Sequence, residues 1–369
     1  MNFHLSDDQV ALQDAVRRYV ADASEAGVRR KTFESETGFD REFWDGLMGL
    51  GVGGLVVGED HGGLGLPLID AALVAEVLGE EAAPGPFLGH TLAALAIQLA
   101  GDAAQRAKWL PRLASGEAIG TVAFGEAGDR WTPDQWTVKL DSLGALFGKK
   151  SNVLYPEFAD LIVVGLEGGA LAVVETADGG IESEALDGVD RTRRLSNVTF
   201  SDAHAEVLAG AAGAEAVLDA ALVLLSADAF GGASRVLRMT AEYAKTRQQF
   251  GGPIARFQGL KHQLANLASE VEPARGLYWY AAVAYDARPE ARSRIAALAK
   301  SHLADRFAQA GRTGVELHGG IGYTWEYDLQ IWVKRSMFDF AYFGQPSFHR
   351  RRAAAMEEAA QTRVGSEAG

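Results

Sequence analysis

The spacing of apolar residues changes character twice along the chain, and this double change constrains the fold more than any other feature. From Gln9 to Ala23 apolar side chains recur at helical intervals, at Val10, Leu12, Val16, Tyr19 and Val20. Ser6 ahead of Asp7 and Asp8 marks the start, because a serine oxygen caps a free N–H and acids suit the positive end of the helix dipole. Further helices are expected at about 41–50, 67–80, 87–99 and 103–115, with a glycine-rich loop over 51–65. From Thr121 to Phe200 the chain turns to short apolar runs broken by turn residues, among them 161–164, 171–174 and 197–200, with Asp178-Gly179-Gly180 as a turn. Helical spacing then returns at about 215–245, 257–286, 289–317 (Pro289 at the start) and 347–360. The order predicts an α+β chain: an N-terminal helical domain over 1–119, a middle β domain over 120–210 and a C-terminal helical bundle over 211–369.

Composition narrows the function. Of 369 residues, 48% are hydrophobic, enough for a sizeable core. Forty-nine acids against 35 Lys and Arg leave a net charge of −14, which argues against a nucleic-acid surface. The chain has no cysteine, so disulfides and thiolate-ligated metals are excluded. Met1–Val10 lacks the basic and apolar parts of a signal peptide, and no uninterrupted apolar run reaches the roughly 18 residues of a bilayer span. A cytoplasmic protein without a membrane segment is the expectation.

Four familiar motifs fail on spacing or context or are absent. Gly51-Val52-Gly53-Gly54-Leu55-Val56 imitates a dinucleotide loop but ends on valine and follows a helical segment. Gly144 to Ser151 imitates a phosphate loop one residue short, and a β-turn with solvated lysines is the plainer reading. The eight histidines show no metal-ligand spacing, so no metal site is expected, and no Gly-x-Ser-x-Gly elbow is present.

Three segments in the C-terminal half carry more. They are Tyr243-Ala244-Lys245-Thr246-Arg247-Gln248-Gln249-Phe250-Gly251 with Phe257-Gln258 after it, Glu316-Leu317-His318-Gly319-Gly320-Ile321-Gly322-Tyr323, and Tyr342-Phe343-Gly344. With these the chain resembles the acyl-CoA dehydrogenase family, over nearly its whole length and in the same α–β–α order. The resemblance implies that fold, with a C-terminal four-helix bundle, and FAD as cofactor shared between two subunits. It further implies that Arg247 meets the pyrophosphate of a neighbour's FAD, that Phe250 is an apolar contact, and that Gln258 and Glu316 lie near the adenosine part. Gly319 and Gly320 would be the places of close backbone approach. The chemistry suits those types, since a guanidinium offers paired donors to phosphate oxygens and glycine lets a main chain touch a ligand. Singly, Arg247 also reads as a helix C-terminal cation, Gly319-Gly320 as a helix stop and Phe250 as core packing. The segment matching the family's flavin-contacting strand is Val122-Ala123-Phe124-Gly125-Glu126, and its Thr-Glu-Pro-x-x-Gly-Ser pattern is reduced here to Gly125-Glu126-Ala127-Gly128-Asp129. The Trp-Ile-Thr stretch of the family corresponds to Asn152-Val153-Leu154.

The chemistry implied is removal of an α-proton by a carboxylate while a hydride leaves the β-carbon of an acyl-CoA thioester. The family's glutamate between Tyr and Gly is Phe343 here, and Ala221 holds the best-known alternative position. Asp228, two turns beyond Ala221 and among Leu224, Leu225 and Phe230, is the leading base candidate; the competing reading is a buried acid paired with an arginine. Glu215 and Asp219 look like first-turn helix residues. Backbone donors near Gly344 are candidates to polarise the thioester. The partners implied are an acyl-CoA, an electron-transfer flavoprotein or similar acceptor, and either copies of this chain or a second acyl-CoA dehydrogenase chain in an α2β2 tetramer, as for bulky or steroid CoA esters. A partner subunit without catalysis of its own, completing another chain's FAD site, is the second reading. A flavin-dependent oxidase or monooxygenase is the third.

Overall fold

The structure, a computed structural model, describes residues 4–25, 27–210 and 213–367. The domain boundary expected at 210/211 falls on residues 211–212, outside the described residues. By spatial contact the chain forms two compact units, one of 5–74 and 84–221 and one of 1–4, 75–83 and 222–369.

The first unit opens with α1 (Asp7–Glu25), α2 (Val28–Glu34) and α3 (Arg41–Gly49), followed by most of α4 (Leu68–Glu80), then α5 (Phe87–Ala100) and α6 (Ala103–Ser115). Ser6 does cap α1: its Oγ accepts from the Gln9 N–H at 3.2 Å while the Gln9 side chain accepts from the Ser6 N–H at 3.0 Å. α6 begins with the same reciprocal device between Asp102 and Gln105. The β region has strands β1 (Gly120–Ala123), β2 (Lys139–Leu140), β3 (Ala145–Leu154), β4 (Leu161–Gly165), β5 (Leu171–Glu175), β6 (Ile181–Leu186), β7 (Leu195–His204) and β8 (Glu206–Val207). They form two four-stranded sheets, ordered β1-β4-β5-β8 and β2-β3-β7-β6. Ile162, Val164, Ala172 and Val174 of one sheet and Leu146, Val153, Val198 and Phe200 of the other share one buried cluster.

The expected turn with solvated lysines over 144–151 is a long strand, β3, with only Gly144 outside it. Lys149 points outward near Glu184, at 3.3 Å, but Lys150 is fully buried and donates to Glu126 Oε1 at 2.7 Å. The alternation of a strand sends adjacent lysines to opposite faces.

The second unit continues along α7 (Gly213–Thr246), which starts in the first unit, to a two-stranded ribbon of β9 (Gln248–Gln249) and β10 (Gly252–Pro253). Then come α8 (Gln258–Val271), α9 (Arg275–Ala287), α10 (Arg292–His318), α11 (Leu329–Ala341) and α12 (Pro346–Glu367). The helix expected over 257–286 is divided by a tight turn at Glu272–Ala274, where Pro273 supplies no N–H. Pro289 lies three residues ahead of α10, not at its start. α11 was absent from the sequence expectation because Arg335, Ser336 and Asp339 sit buried among Leu329, Ile331, Trp332 and Phe338 and break the apolar stripe. α4 and α7 approach closely: a Cβ on Gly231 would lie 2.0 Å from Glu76 O, and one on Gly79 would lie 2.1 Å from Asp228 O. α7 is the single described helix long and apolar enough to cross a membrane, and its apolar window is wholly buried.

Candidate functional site

The two motifs that lie about 70 residues apart meet in the second unit. Tyr243, near the end of α7, stacks on His318 at the end of α10, with ring centroids 4.4 Å apart, and its hydroxyl donates to His318 O at 3.3 Å. Tyr327 completes the group, 4.9 Å from His318 and 6.0 Å from Tyr243. His318 Nδ1 lies 2.7 Å from Gly314 O and so carries the proton; burial lowers the ring's pKa, and this histidine is a neutral spacer holding the two helix ends together. The sequence expectation quoted Tyr243 and His318 without giving them a role.

Beyond this aromatic group the candidate residues face outward. Arg247 is exposed, and its guanidinium has no hydrogen-bond or ion-pair partner among the described residues. The β9–β10 ribbon then turns the chain through Phe250, which is 83% exposed at φ +53°. Its ring meets Phe257 edge-on at 5.9 Å, and Arg256 lies over Phe257 at 5.0 Å while donating to Phe250 O. Holding a phenylalanine in the left-handed region and in water is costly. Gln258, exposed, opens α8. Gly319 ends α10 at φ +64° and ψ −142°, a conformation open in practice to glycine, and a Cβ on either Gly319 or Gly320 would meet nothing within 4 Å. Glu316 borders a polar cleft of about 470 Å³ between α8 and α10, with Gln263, Asn266, Gln309 and Thr313. A free guanidinium, an unsheltered ring and a bare glycine turn suit a dinucleotide phosphate with an aromatic group beside it.

The other expected positions are filled differently. Phe343 is 1% exposed, at φ +58°, with its ring edge-on to Tyr342 at 4.6 Å. His349 donates from Nε2 to Phe343 O at 2.9 Å, and burial followed by the nearby Lys300 charge pushes its pKa down to about 3. The Gly344 N–H, a candidate to polarise a thioester, donates to Ala341 O at 3.0 Å and is engaged in its own turn. Asp228 is 5% exposed. Arg335 grips it through Nε to Oδ1 at 2.9 Å and Nη2 to Oδ2 at 2.5 Å, and donates a third bond to Ala83 O at 3.0 Å. This geometry favours the second reading of Asp228, a buried acid paired with an arginine, over that of a proton acceptor. Arg335 was missed because nothing local marks its helix as buried.

In the first unit Gly125 and Glu126 follow β1, in the segment matched to the flavin-contacting strand. Burial alone would raise the Glu126 pKa, but Lys150 and Thr137 bring it down to about 2; Lys150 falls to about 8 through burial, with Glu126 opposing. Lys150 also lies 5.1 Å from the Trp136 ring. Asn152 stands in the left-handed region at φ +56°.

Known proteins agree with this layout. The model of the acyl-CoA dehydrogenase N-terminal domain matches residues 6–117, and that of the C-terminal domain matches 209–356. Acyl-CoA dehydrogenase IpdE2 of Mycolicibacterium smegmatis is 32% identical over 358 residues, covering 95% of this chain and 99% of its own. A variant of the Tcur3481-Tcur3483 steroid ACAD superposes with a TM-score of 0.90 at 30% identity, over 96% of this chain and 99% of its own. The ChsE4-ChsE5 complex from Mycobacterium tuberculosis gives 0.87 at 25% identity, over 96% and 98%. The chain belongs to the acyl-CoA dehydrogenase family of FAD-dependent oxidoreductases.

Proposed function

We propose that this chain is one subunit of a heteromeric acyl-CoA dehydrogenase and that it completes the FAD site of a second, base-bearing chain. The reaction needs a base for the α-proton of the thioester, and FAD, when bound, would supply the acceptor for the hydride of the β-carbon. The observation that carries the reading is a contrast within one unit: among the described residues the outward Arg247 guanidinium has no partner and a Cβ on Gly319 or Gly320 would meet nothing, while the place for a base holds buried Phe343. In this role Arg247 binds phosphate, Phe250 covers an apolar part of the cofactor, Gln258 and Glu316 take the adenosine hydroxyls or base, and Gly319 and Gly320 admit close approach. The names of two structural relatives, one a steroid enzyme and one a two-chain complex, support a bulky, ring-containing acyl group and an α2β2 tetramer. An electron-transfer flavoprotein or similar acceptor reoxidises the flavin, and the assembly works in the cytoplasm.

Purification alone and after co-expression with candidate acyl-CoA dehydrogenase chains tests this. The expected result is a colourless chain alone, a yellow tetramer with its partner, and loss of the colour when Arg247→Ala is introduced here. A yellow, fully active homotetramer of this chain alone would overturn it.

A further inference from the structure

We propose that the flavin seat on this chain's own middle sheet is closed by Trp131, so that each pair of chains takes up one flavin. The inference rests on the two-chain reading above and concerns the half of the site that lies in the first unit.

The closure begins in the sequence Glu126-Ala127-Gly128-Asp129-Arg130. Glu126 and Arg130 bond to each other in both directions, N–H to O at 3.0 and 3.3 Å, and Gly128 and Asp129 take the left-handed conformations that so short a hairpin needs. The hairpin folds the next residue, Trp131, back onto the strand it has just left. A Cβ on Gly125 would lie 2.8 Å from the Trp131 ring and 2.5 Å from Ser151 O, so position 125 has room for no side chain at all. The indole is only 5% exposed. Its backbone N–H donates to Gln135 Oε1 at 3.2 Å, and Gln135 is itself locked to Thr132 in a reciprocal cap. The ring is therefore part of the packed core and not a flap over it.

Two substitutions in the matched segments point the same way. Gly125 and Asn152 stand where the family pattern carries a hydroxyl and a tryptophan, and this chain brings its own tryptophan, from position 131, against Gly125. A planar aromatic of the protein thus occupies ground beside Gly125 that a planar cofactor ring would need. The residues present do not fit a flavin here, whereas those around Arg247 and Gly319 do.

The test is a joint count of chains and flavins in the assembled complex at saturating FAD, by native mass and equilibrium dialysis. One FAD per pair is expected for the wild type and for Trp131→Phe, with a second, weaker binding event in Trp131→Gly. Two per pair in the wild type would overturn the closed seat and leave the two-chain reading standing. A homo-oligomer carrying FAD would overturn both, and a flavin-free homo-oligomer only the two-chain reading. A Trp131→Gly complex of native mass that still binds one FAD would refute the part assigned to Trp131. Where that variant does not assemble, a crystal structure of the loaded complex decides, with the indole over Gly125 expected and flavin density in its place overturning the proposal.

Discussion

Replacing Asp228 by asparagine separates its two readings. The change keeps the shape and removes the charge that faces Arg335, whose side chain is fully buried and donates two bonds to this carboxylate and one to Ala83 O. Asparagine can still accept one bond, but the guanidinium loses the charge of the carboxylate it grips. Removing one partner of a buried pair costs about 3–5 kcal/mol, most of it from the stranded ion. At roughly 2–4 °C per kcal/mol for a unit of this size, the Tm of the second unit should fall by on the order of 10 °C. The double variant Asp228→Leu with Arg335→Met removes both charges and should recover most of that loss, because well-packed apolar residues often replace a buried pair without penalty. The assay is calorimetry on the single and double variants beside the dehydrogenase rate of the assembled enzyme. A small change in Tm with abolished turnover in Asp228→Asn would make Asp228 the base and refute the pairing argument.

Arg247→Lys keeps a positive charge but loses the paired donors, and a charge-assisted bond is worth about 1.5–3 kcal/mol, so FAD affinity of the assembled complex should fall about tenfold or more by equilibrium dialysis. Gly319→Ala meets no atom of its own chain but is strained at φ +64°, so it should weaken flavin retention while lowering the Tm of the chain alone by only a few degrees. His90 is fully buried and accepts from the Gly120 N–H through Nδ1 at 3.4 Å, and burial pushes its pKa from 6.5 to about 4. The unfolded chain therefore binds a proton below pH 6.5 that the fold refuses until about pH 4, so this contribution, up to about 3 kcal/mol, is present above 6.5 and lost on acidification. Tm should rise from pH 4.5 to 7, with a shallower slope in His90→Phe; an unchanged slope would contradict this.

Most helices could be read from the sequence because their signals are local: Ser6 and Gln9, or Asp102 and Gln105, mark helix starts within four residues. Strands β4, β5 and β7 showed in the same way, as apolar runs between turns. What escaped depends on partners distant in the chain. Lys150 looks like a surface lysine until Glu126 and Trp136 close over it. Arg335 looks like a helix-surface charge until Asp228, 107 residues earlier, meets it. The contact of Tyr243 with His318 spans 75 residues and joins two segments whose motifs were each legible alone.

The candidate site divides along the same line, and the division bears on function. Arg247, Phe250, Gln258, Gly319 and Gly320, the proposed cofactor contacts, are all exposed, and Phe250 holds a backbone conformation that costs free energy. The inward positions are the reverse. Phe343, Gly125 and Asp228 are all satisfied by their own chain, through an aromatic contact, an indole and a guanidinium. A protein with a complete site of its own leaves polar or empty ground where substrate and cofactor must enter. Here positions 125, 228 and 343 are packed, while Arg247 and Phe250 face outward. Folding alone gives no reason to keep Phe250 in water at a positive φ, and that cost supports the proposed reading in which a second chain covers this surface.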